Sequence, residues 1–329
     1  MKKTWLYPWL FYPVCKDYLW GGRRIAARFR RPGTPAVCAE SWEISGRPEG
    51  MSVIANGPLQ GRTLAAIAGT FTREVVGSKA CARPIRGFPL LVKLIDARLR
   101  LSVQVHPDED SAPSLGGEPK TEMWYVLEAQ PGSVIYAGLK RGANRQLFER
   151  ALAENRIAER LATVRAVPGQ ALLIRGGCVH AIGEGCLLLE IQQSSDTTYR
   201  LYDWGRVDRD GKPRPLHVEQ ALRAIRWGRL PPRPARTRAT KTAAGNTITR
   251  LAITSFFRVS RLDIRAAESF PTGGRSFHAF FTVAGRAQVE TDGAKVPLKG
   301  GLSCLLPAAV GRYRLLPGPR GAELIRITL

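Results

Sequence analysis

The sequence predicts a mainly β protein, two β domains in succession with a small helical insertion in the first. Three observations predict it. Short stretches along the first two thirds alternate apolar and polar residues, or run apolar with β-branched members, which are the patterns of half-buried and fully buried strands. From residue 246 onward, turn signals at Gly273-Gly274, Gly285, Asp292-Gly293, Gly300-Gly301 and Pro317-Gly318 come at the spacing of a small sandwich or jelly roll. The clearest helical pattern is confined to residues 143–165, where Leu147, Phe148, Ala151, Leu152, Ile157, Leu161 and Val164 keep near-helical spacing.

Each element can be justified in order. Trp5 to Cys15 follows Met1-Lys-Lys and imitates a signal peptide, but Pro8 and Pro13 interrupt it and no small-residue cleavage site closes it. It reads as a buried edge strand or extended segment of the fold, which places the protein in the cytoplasm. Lys16 to Gly22 ends in a turn. Ala39–Ser45 is a short strand, and Ser52 to Ala55 leads to the tight-turn pair Asn56-Gly57. Residues 62–78 suit one short helix. Phe88 to Asp96 is an apolar run interrupted by Lys93, a central strand by composition. Leu101–His106 alternates, and further strands are expected from Glu122, over Ala171–Ile174 and over Leu187–Gln192. Residues 193–205 are too rich in Ser and Thr to read as core. His217–Trp227 suits a helix. Residues 229–245, with Pro231-Pro232 and Pro234 among many Arg, read as a linker. The expected division is therefore 1–228, a linker over 229–245, and 246–329.

Bulk composition narrows the function classes. With 44% hydrophobic and 23% charged residues in 329, the chain has ample material for a core. No apolar run approaches the roughly 20 residues that cross a bilayer, so no membrane partner is expected. The six Cys show no Cys-x-x-Cys pair and read as free thiols. A net charge of +23 attracts anions. The Arg residues are scattered and their clusters lack interleaved aromatics, so nucleic acid is not the expected partner.

The stretch Leu101-Ser-Val-Gln-Val-His106 is the focus of the chain. In a strand, Ser102, Gln104 and His106 share one face. With Glu122 at the start of one strand and His180 after the Gly176-Gly177 turn, they form a plausible divalent-metal set. For each His alone a satisfied core position is the ordinary reading, and spacing leaves both open. Lys120 shares the face of Glu122. Lys93, inside an apolar strand, must reach water, an anion or a carboxylate. Asp196 and Arg200 lie four apart in the Ser/Thr-rich segment, where a surface ion pair is the plain alternative.

Longer strings carry more. Leu101-Ser-Val-Gln-Val-His-Pro-Asp, Lys120-Thr-Glu-Met-Trp-Tyr-Val-Leu, Val179-His-Ala-Ile-Gly and Glu190-Ile-Gln-Gln-Ser-Ser-Asp-Thr-Thr-Tyr-Arg-Leu-Tyr-Asp-Trp-Gly-Arg206 closely resemble the type I mannose-6-phosphate isomerases in their short bacterial form. Trp20-Gly-Gly, Glu40-Ser-Trp-Glu-Ile-Ser, Asn56-Gly-Pro-Leu and Phe88-Pro-Leu-Leu-Val-Lys extend the resemblance over roughly residues 5–227. It implies two cupin-type jelly rolls and one zinc per chain on Gln104, His106, Glu122 and His180. It further implies Arg200, Asp196 and Lys120 as catalytic residues, with Lys93, Lys120 and Ser102 toward the substrate phosphate. Where the family usually has Pro-Ala-Gly-Thr before the second His, this chain has Arg175-Gly-Gly-Cys178. The implied reaction interconverts mannose 6-phosphate and fructose 6-phosphate through an enediol, on a monomer or weak homodimer. Asp196, Lys120 and a ligand-linked His all stand as proton carriers. Two rival readings stand beside it: a non-catalytic zinc cupin that binds or senses a sugar phosphate, and a basic nucleic-acid-binding protein, which the scattered Arg residues do not by themselves require.

Overall fold

The computed structural model describes residues 4–81, 87–208 and 210–329, so Met1–Lys3, where the signal-like stretch begins, lie outside the described residues. Strands β1 (Trp9–Tyr12) and β2 (Val14–Lys16) are separated at Pro13, which has no ladder donor. Helix α1 (Arg24–Phe29), β3 (Glu40–Ser45) and the short β4 (Val53–Ile54) follow. Residues 62–78 carry α2 (Leu64–Thr70) and α3 (Thr72–Val76), where a single helix was expected. Phe71 breaks them with φ −122° and ψ 49°, and Gly77 at φ +91° turns the chain into α4 (Ser78–Cys81).

Nine strands build the next part: β5 (Leu90–Ala97), β6 (Val103–Val105), β7 (Glu122–Ala129), β8 (Val134–Leu139), β9 (Leu161–Arg165), β10 (Ala171–Ile174), β11 (His180–Ile182), β12 (Cys186–Gln193) and β13 (Tyr199–Tyr202). Helix α5 (Ala112–Leu115) lies in the loop after β6, α6 (Arg145–Ala153) between β8 and β9, and α7 (Val218–Ala224) after β13. The strands form two sheets, of order β10-β7-β12-β5-β3-β2 and β13-β6-β11-β8-β9.

Strand alternation distributes their side chains. On β7 and β12, Met123, Tyr125, Leu187, Leu189 and Ile191 join one core, while Trp124, Val126 and Leu188 join another. The second core includes Leu101 and Ile182, so it lies between the two sheets. The first reaches Phe257, Phe277, Phe281 and Ile325 of the C-terminal region. The six-stranded sheet is thus buried on both faces, which is why its strands read as continuous apolar runs. A third core packs Phe148 of α6 and Ala221, Leu222 and Ala224 of α7 against Val103 and Val105.

The C-terminal region contains β14 (Ala239–Lys241), β15 (Thr247–Ile253), β16 (Arg258–Ile264), β17 (Glu268–Pro271), β18 (His278–Thr291), β19 (Ala294–Lys299), β20 (Ser303–Leu306) and β21 (Arg312–Thr328). Its sheet also takes in β1, which pairs with β20 on one side and with β4 on the other.

Four further expectations need correction. The helical insertion is shorter than 143–165: α6 ends at Ala153, Asn155 takes a left-handed φ of +56°, and Leu161–Arg165 pairs with β8 as a strand. Leu161 and Val164 satisfy helical spacing, but β8 offers an open edge, and ladder pairing decides between the two. Residues 193–205 are partly core: β13 buries Tyr199 and Leu201, and Ser195 is buried too. The span 229–245 is not uniformly irregular, since β14 falls inside it and Ala235 N donates to Ala171 O at 2.8 Å. Finally, Cys15 and Cys38 form a disulfide, leaving Cys81, Cys178, Cys186 and Cys304 as free thiols. The β2–β3 register, with Cys15 opposite Ser41, draws together two residues 23 apart in sequence.

Candidate active site

Three adjacent strands of the five-stranded sheet place one residue each in a row. His180 on β11 and Arg200 on β13 both lie opposite Gln104 on β6, so the three side chains share a face. His106 follows β6 directly and is anchored by Gly177 N donating to its carbonyl at 2.7 Å. A Cβ at Gly176 would come within 2.7 Å of Asp108 Cα, so only glycine lets this turn approach. Glu122, at the start of β7, faces them from the opposite sheet.

The two imidazoles are oriented by backbone carbonyls. His106 Nδ1 lies 2.8 Å from Thr197 O, and His180 Nδ1 lies 2.9 Å from Cys178 O. Each Nδ1–H therefore donates outward and each Nε2 turns its lone pair inward. His106 Nε2 is 3.5 Å from Glu122 Oε2, His180 Nε2 is 3.3 Å from Glu122 Oε1, and Gln104 Nε2 is 3.3 Å from His180 Nε2. One ligand atom from each of His106, Glu122 and His180 falls within 4.8 Å of the others. All three residues are buried; His106 Nε2 and Glu122 Oε1 have no hydrogen-bond partner, while Glu122 Oε2 meets Lys120 Nζ at 3.0 Å.

The charge states suit a cation. Burial, with Lys120 beside it, pushes His106 down to about 3, and burial likewise lowers His180. Both are neutral at ordinary pH. Burial opposes ionisation of Glu122, but Lys120, with Nζ 3.0 Å from Oε2, holds it well below the usual carboxylate range. Two orphaned acceptors in a buried site, one of them on an ionised carboxylate, cost on the order of 1–3 kcal/mol each unless a cation meets them.

A cavity of about 280 Å³ opens beside this cluster, lined by Ser102, Gln104, Lys120, Lys93, Asp196 and Arg200 among others. Every residue expected at the site apart from His106, Glu122 and His180 thus borders the cavity, and those three form its neighbouring cluster. Ser102 Oγ donates to Gln104 Oε1 at 3.2 Å and accepts from Arg200 Nε at 3.3 Å. Arg200 Nη1 donates to Pro215 O at 2.8 Å. Lys93 lines the cavity with its ammonium between Glu190 Oε2 at 2.9 Å and Glu40 Oε1 at 3.2 Å. Burial works against the Lys93 charge, but those two carboxylates outweigh it and raise its proton affinity. Asp196 is exposed at the rim. Arg175 is exposed and is not among the residues that line the cavity, while Cys178 is buried, its thiol pushed up to about 12 by burial.

Sequence reasoning missed Glu40, Glu190, Tyr18 and Arg214 as lining residues. Glu190 carried a usable signal. It is a carboxylate inside the apolar run Leu187–Ile191, open to the same argument as Lys93, and it accepts from Trp124 Nε1 at 2.7 Å. Glu40 accepts from Trp42 Nε1 at 2.8 Å. Tyr18 and Arg214 lie in loops without a periodic pattern.

Residues 10–135 match the family model described as phosphomannose isomerase type I, catalytic domain. Residues 247–327 match that of the mannose-6-phosphate isomerase cupin domain. A mannose-6-phosphate isomerase of Bacillus subtilis strain 168 is 32% identical over 310 residues, covering 94% of this chain and 95% of its own. The chain belongs to the type I mannose-6-phosphate isomerase family. One from Streptococcus mutans is 33% identical over 298 residues, with 90% of this chain and 91% of its own covered. The crystal structure of the mannose 6-phosphate isomerase from Bacillus subtilis superimposes with a TM-score of 0.87 at 28% identity, over 98% of this chain and 99% of that one. Family membership brings metal dependence, and the His106, Glu122 and His180 cluster is a site able to hold the metal.

Proposed function

We propose that this chain interconverts mannose 6-phosphate and fructose 6-phosphate through an enediol, with one zinc ion held by Gln104, His106, Glu122 and His180. The observation that carries the reading is the convergence of His106 Nε2, His180 Nε2 and the Glu122 carboxylate, with His106 Nε2 and Glu122 Oε1 lacking any hydrogen-bond partner. Two imidazoles and a carboxylate, joined by the Gln104 oxygen once its amide turns from Ser102, suit zinc better than calcium or magnesium, which prefer all-oxygen shells. When bound, zinc supplies Lewis-acid polarisation to the substrate's oxygen.

The chain's own residues do the rest. Trp124, Ile95, Leu101 and Ile182 line the cavity with apolar surface that strengthens charge interactions inside it. Arg200, braced by Ser102 Oγ and Pro215 O, is a fixed cation for the negative charge that develops as the α-proton leaves. Asp196 and Lys120 border the same cavity and are the groups we assign to moving the proton between carbons 2 and 1. Lys93 holds Glu40 and Glu190 in place within the wall.

A coupled assay on metal-loaded protein tests this directly. Turnover of mannose 6-phosphate should be lost on chelation and restored by zinc. Fully zinc-loaded, folded protein that binds the sugar phosphate without converting it would instead establish a non-catalytic sugar-phosphate cupin.

A further inference from the structure

We propose that Arg214, a loop residue beyond β13, binds the substrate's phosphate at the outer end of the cavity. The inference rests on the isomerase reading and assigns the part of the site that distinguishes a sugar phosphate from a sugar.

The cations near the metal cluster are already matched. Lys93 sits between Glu40 and Glu190, and Lys120 pairs with Glu122. A dianion placed against either would also meet those carboxylates. The outer end differs. Arg206 and Arg214 both pair with the single buried carboxylate of Asp203, while Arg200 is anchored only by the neutral Ser102 Oγ and Pro215 O. Burial and the nearby Arg214 and Arg206 charges weaken the hold of Arg200 on its proton, despite Asp203, as expected where cations gather in excess. Of the carboxylates bordering this end, Asp196, Asp17 and Asp210 are exposed to solvent, and Asp208 accepts from Asp210 N and Lys212 N in its own loop.

Arg214 is held in a form suited to phosphate. Its Nε donates to Asp203 Oδ2 at 2.8 Å and its Nη2 to Oδ1 at 2.6 Å, so the guanidinium plane is fixed. Its Nη1 meets no acceptor among the described residues. A preoriented guanidinium loses little freedom on binding and matches phosphate oxygens better than an ammonium does. Arg214 also borders both the 280 Å³ cavity and an adjoining outer one of about 420 Å³, so it stands where the two meet. A hexose phosphate whose carbons 1 and 2 face the metal cluster carries its phosphate on carbon 6, at the other end of the chain.

Calorimetry with inorganic phosphate and steady-state kinetics test the assignment. Arg214→Gln leaves Asp203 paired with Arg206, and it should weaken phosphate binding about tenfold or more. It should raise KM for mannose 6-phosphate by a similar factor while kcat stays within about threefold, and Arg214→Lys should recover part of the loss. In the wild type, phosphate should protect Arg214 from an arginine-directed dicarbonyl reagent mapped by peptide mass, a readout that stands even if Arg214→Gln does not fold. Unchanged phosphate affinity and KM in folded Arg214→Gln, or labelling of Arg214 indifferent to phosphate, would overturn the proposal. Should the wild type bind phosphate through Arg214 yet convert no mannose 6-phosphate, the isomerase reading falls and the anion site stands. Should it convert the sugar phosphate while Arg214→Gln matches it in both constants, the reverse holds.

Discussion

Between the six- and five-stranded sheets, Glu40, Lys93, His106, Lys120, Glu122, His180 and Glu190 are all buried, whereas the interior of the C-terminal region is filled by Leu262, Phe280, Val289, Leu298, Leu306 and Leu324. Both regions are antiparallel and both alternate inward and outward residues. What differs is where ionisable groups occupy inward positions. In the first region each buried charge finds a counter-charge, Lys93 with Glu40 and Glu190, Lys120 with Glu122, yet His106 Nε2 and Glu122 Oε1 are left unsatisfied. In the second, apolar burial fills the space, at roughly 1.5–3 kcal/mol for each large side chain. One region gives up stability to keep a reactive interior, and the other, packed on its back through Phe257, Phe277, Phe281 and Ile325, supplies support.

The largest test of this contrast lies in the metal cluster. His106→Ala and His180→Ala should each lower zinc occupancy measured by elemental analysis and cut activity by more than about a thousandfold, beyond the roughly 10²–10³ cost of losing one preorganised donor. Full zinc content in both variants would remove these residues from the ligand set. Next in size, Arg200→Met should leave zinc content and thermal stability intact while kcat drops roughly a hundredfold. A rise confined to KM would assign Arg200 to uniform substrate binding instead.

The supporting region should respond in the opposite way. Phe281→Ala, at a fully buried position shared by both regions, should lower unfolding free energy by about 3–5 kcal/mol in denaturant titrations, with kcat little changed well below the melting temperature. An equal loss of kcat at low temperature would show that the C-terminal core sets the geometry of the site as well as its stability.

A smaller effect should appear with pH. His278 Nδ1 lies 2.7 Å from Tyr313 Oη, and burial, reinforced by Arg326, pushes its imidazole down to about 3. The folded chain therefore keeps His278 neutral while the unfolded chain takes up its proton near the ordinary value of about 6.5. The contribution is complete above about pH 6.5 and is lost progressively as pH falls toward 3. Melting temperatures of wild type and His278→Phe should diverge less at pH 5 than at pH 7.5, and a constant difference would place the titration elsewhere. Smallest of all, KM for mannose 6-phosphate should rise a few-fold between low and physiological salt as screening weakens the cavity's field.

Much of this site was legible because its signals are local. Gln104 and His106 share a strand face by period two, and Lys93 and Glu122 stand out as charged residues in strands buried on both faces. Other parts were not legible because their signals are degenerate. Leu161 and Val164 satisfy a helical period as well as a strand, and only the open edge of β8 selects the strand. The Ser/Thr-rich segment around Tyr199 looked solvated, yet β13 pairs with β6 and buries Tyr199 and Leu201.

The amino-acid sequence by itself determined the β character, the position of most strands and which residues on each strand point the same way, because backbone geometry imposes a two-residue period whatever the surroundings. Only the tertiary structure decided which faces meet. The registers His180–Gln104 and Arg200–Gln104 align three residues far apart in the chain, the pairing of β2 with β3 joins Cys15 to Cys38, and Asp203 gathers Arg206 and Arg214 at the cavity's outer end. Such contacts depend on strand order and register, which are set by the burial of whole sheet faces and leave no periodic trace in any one segment.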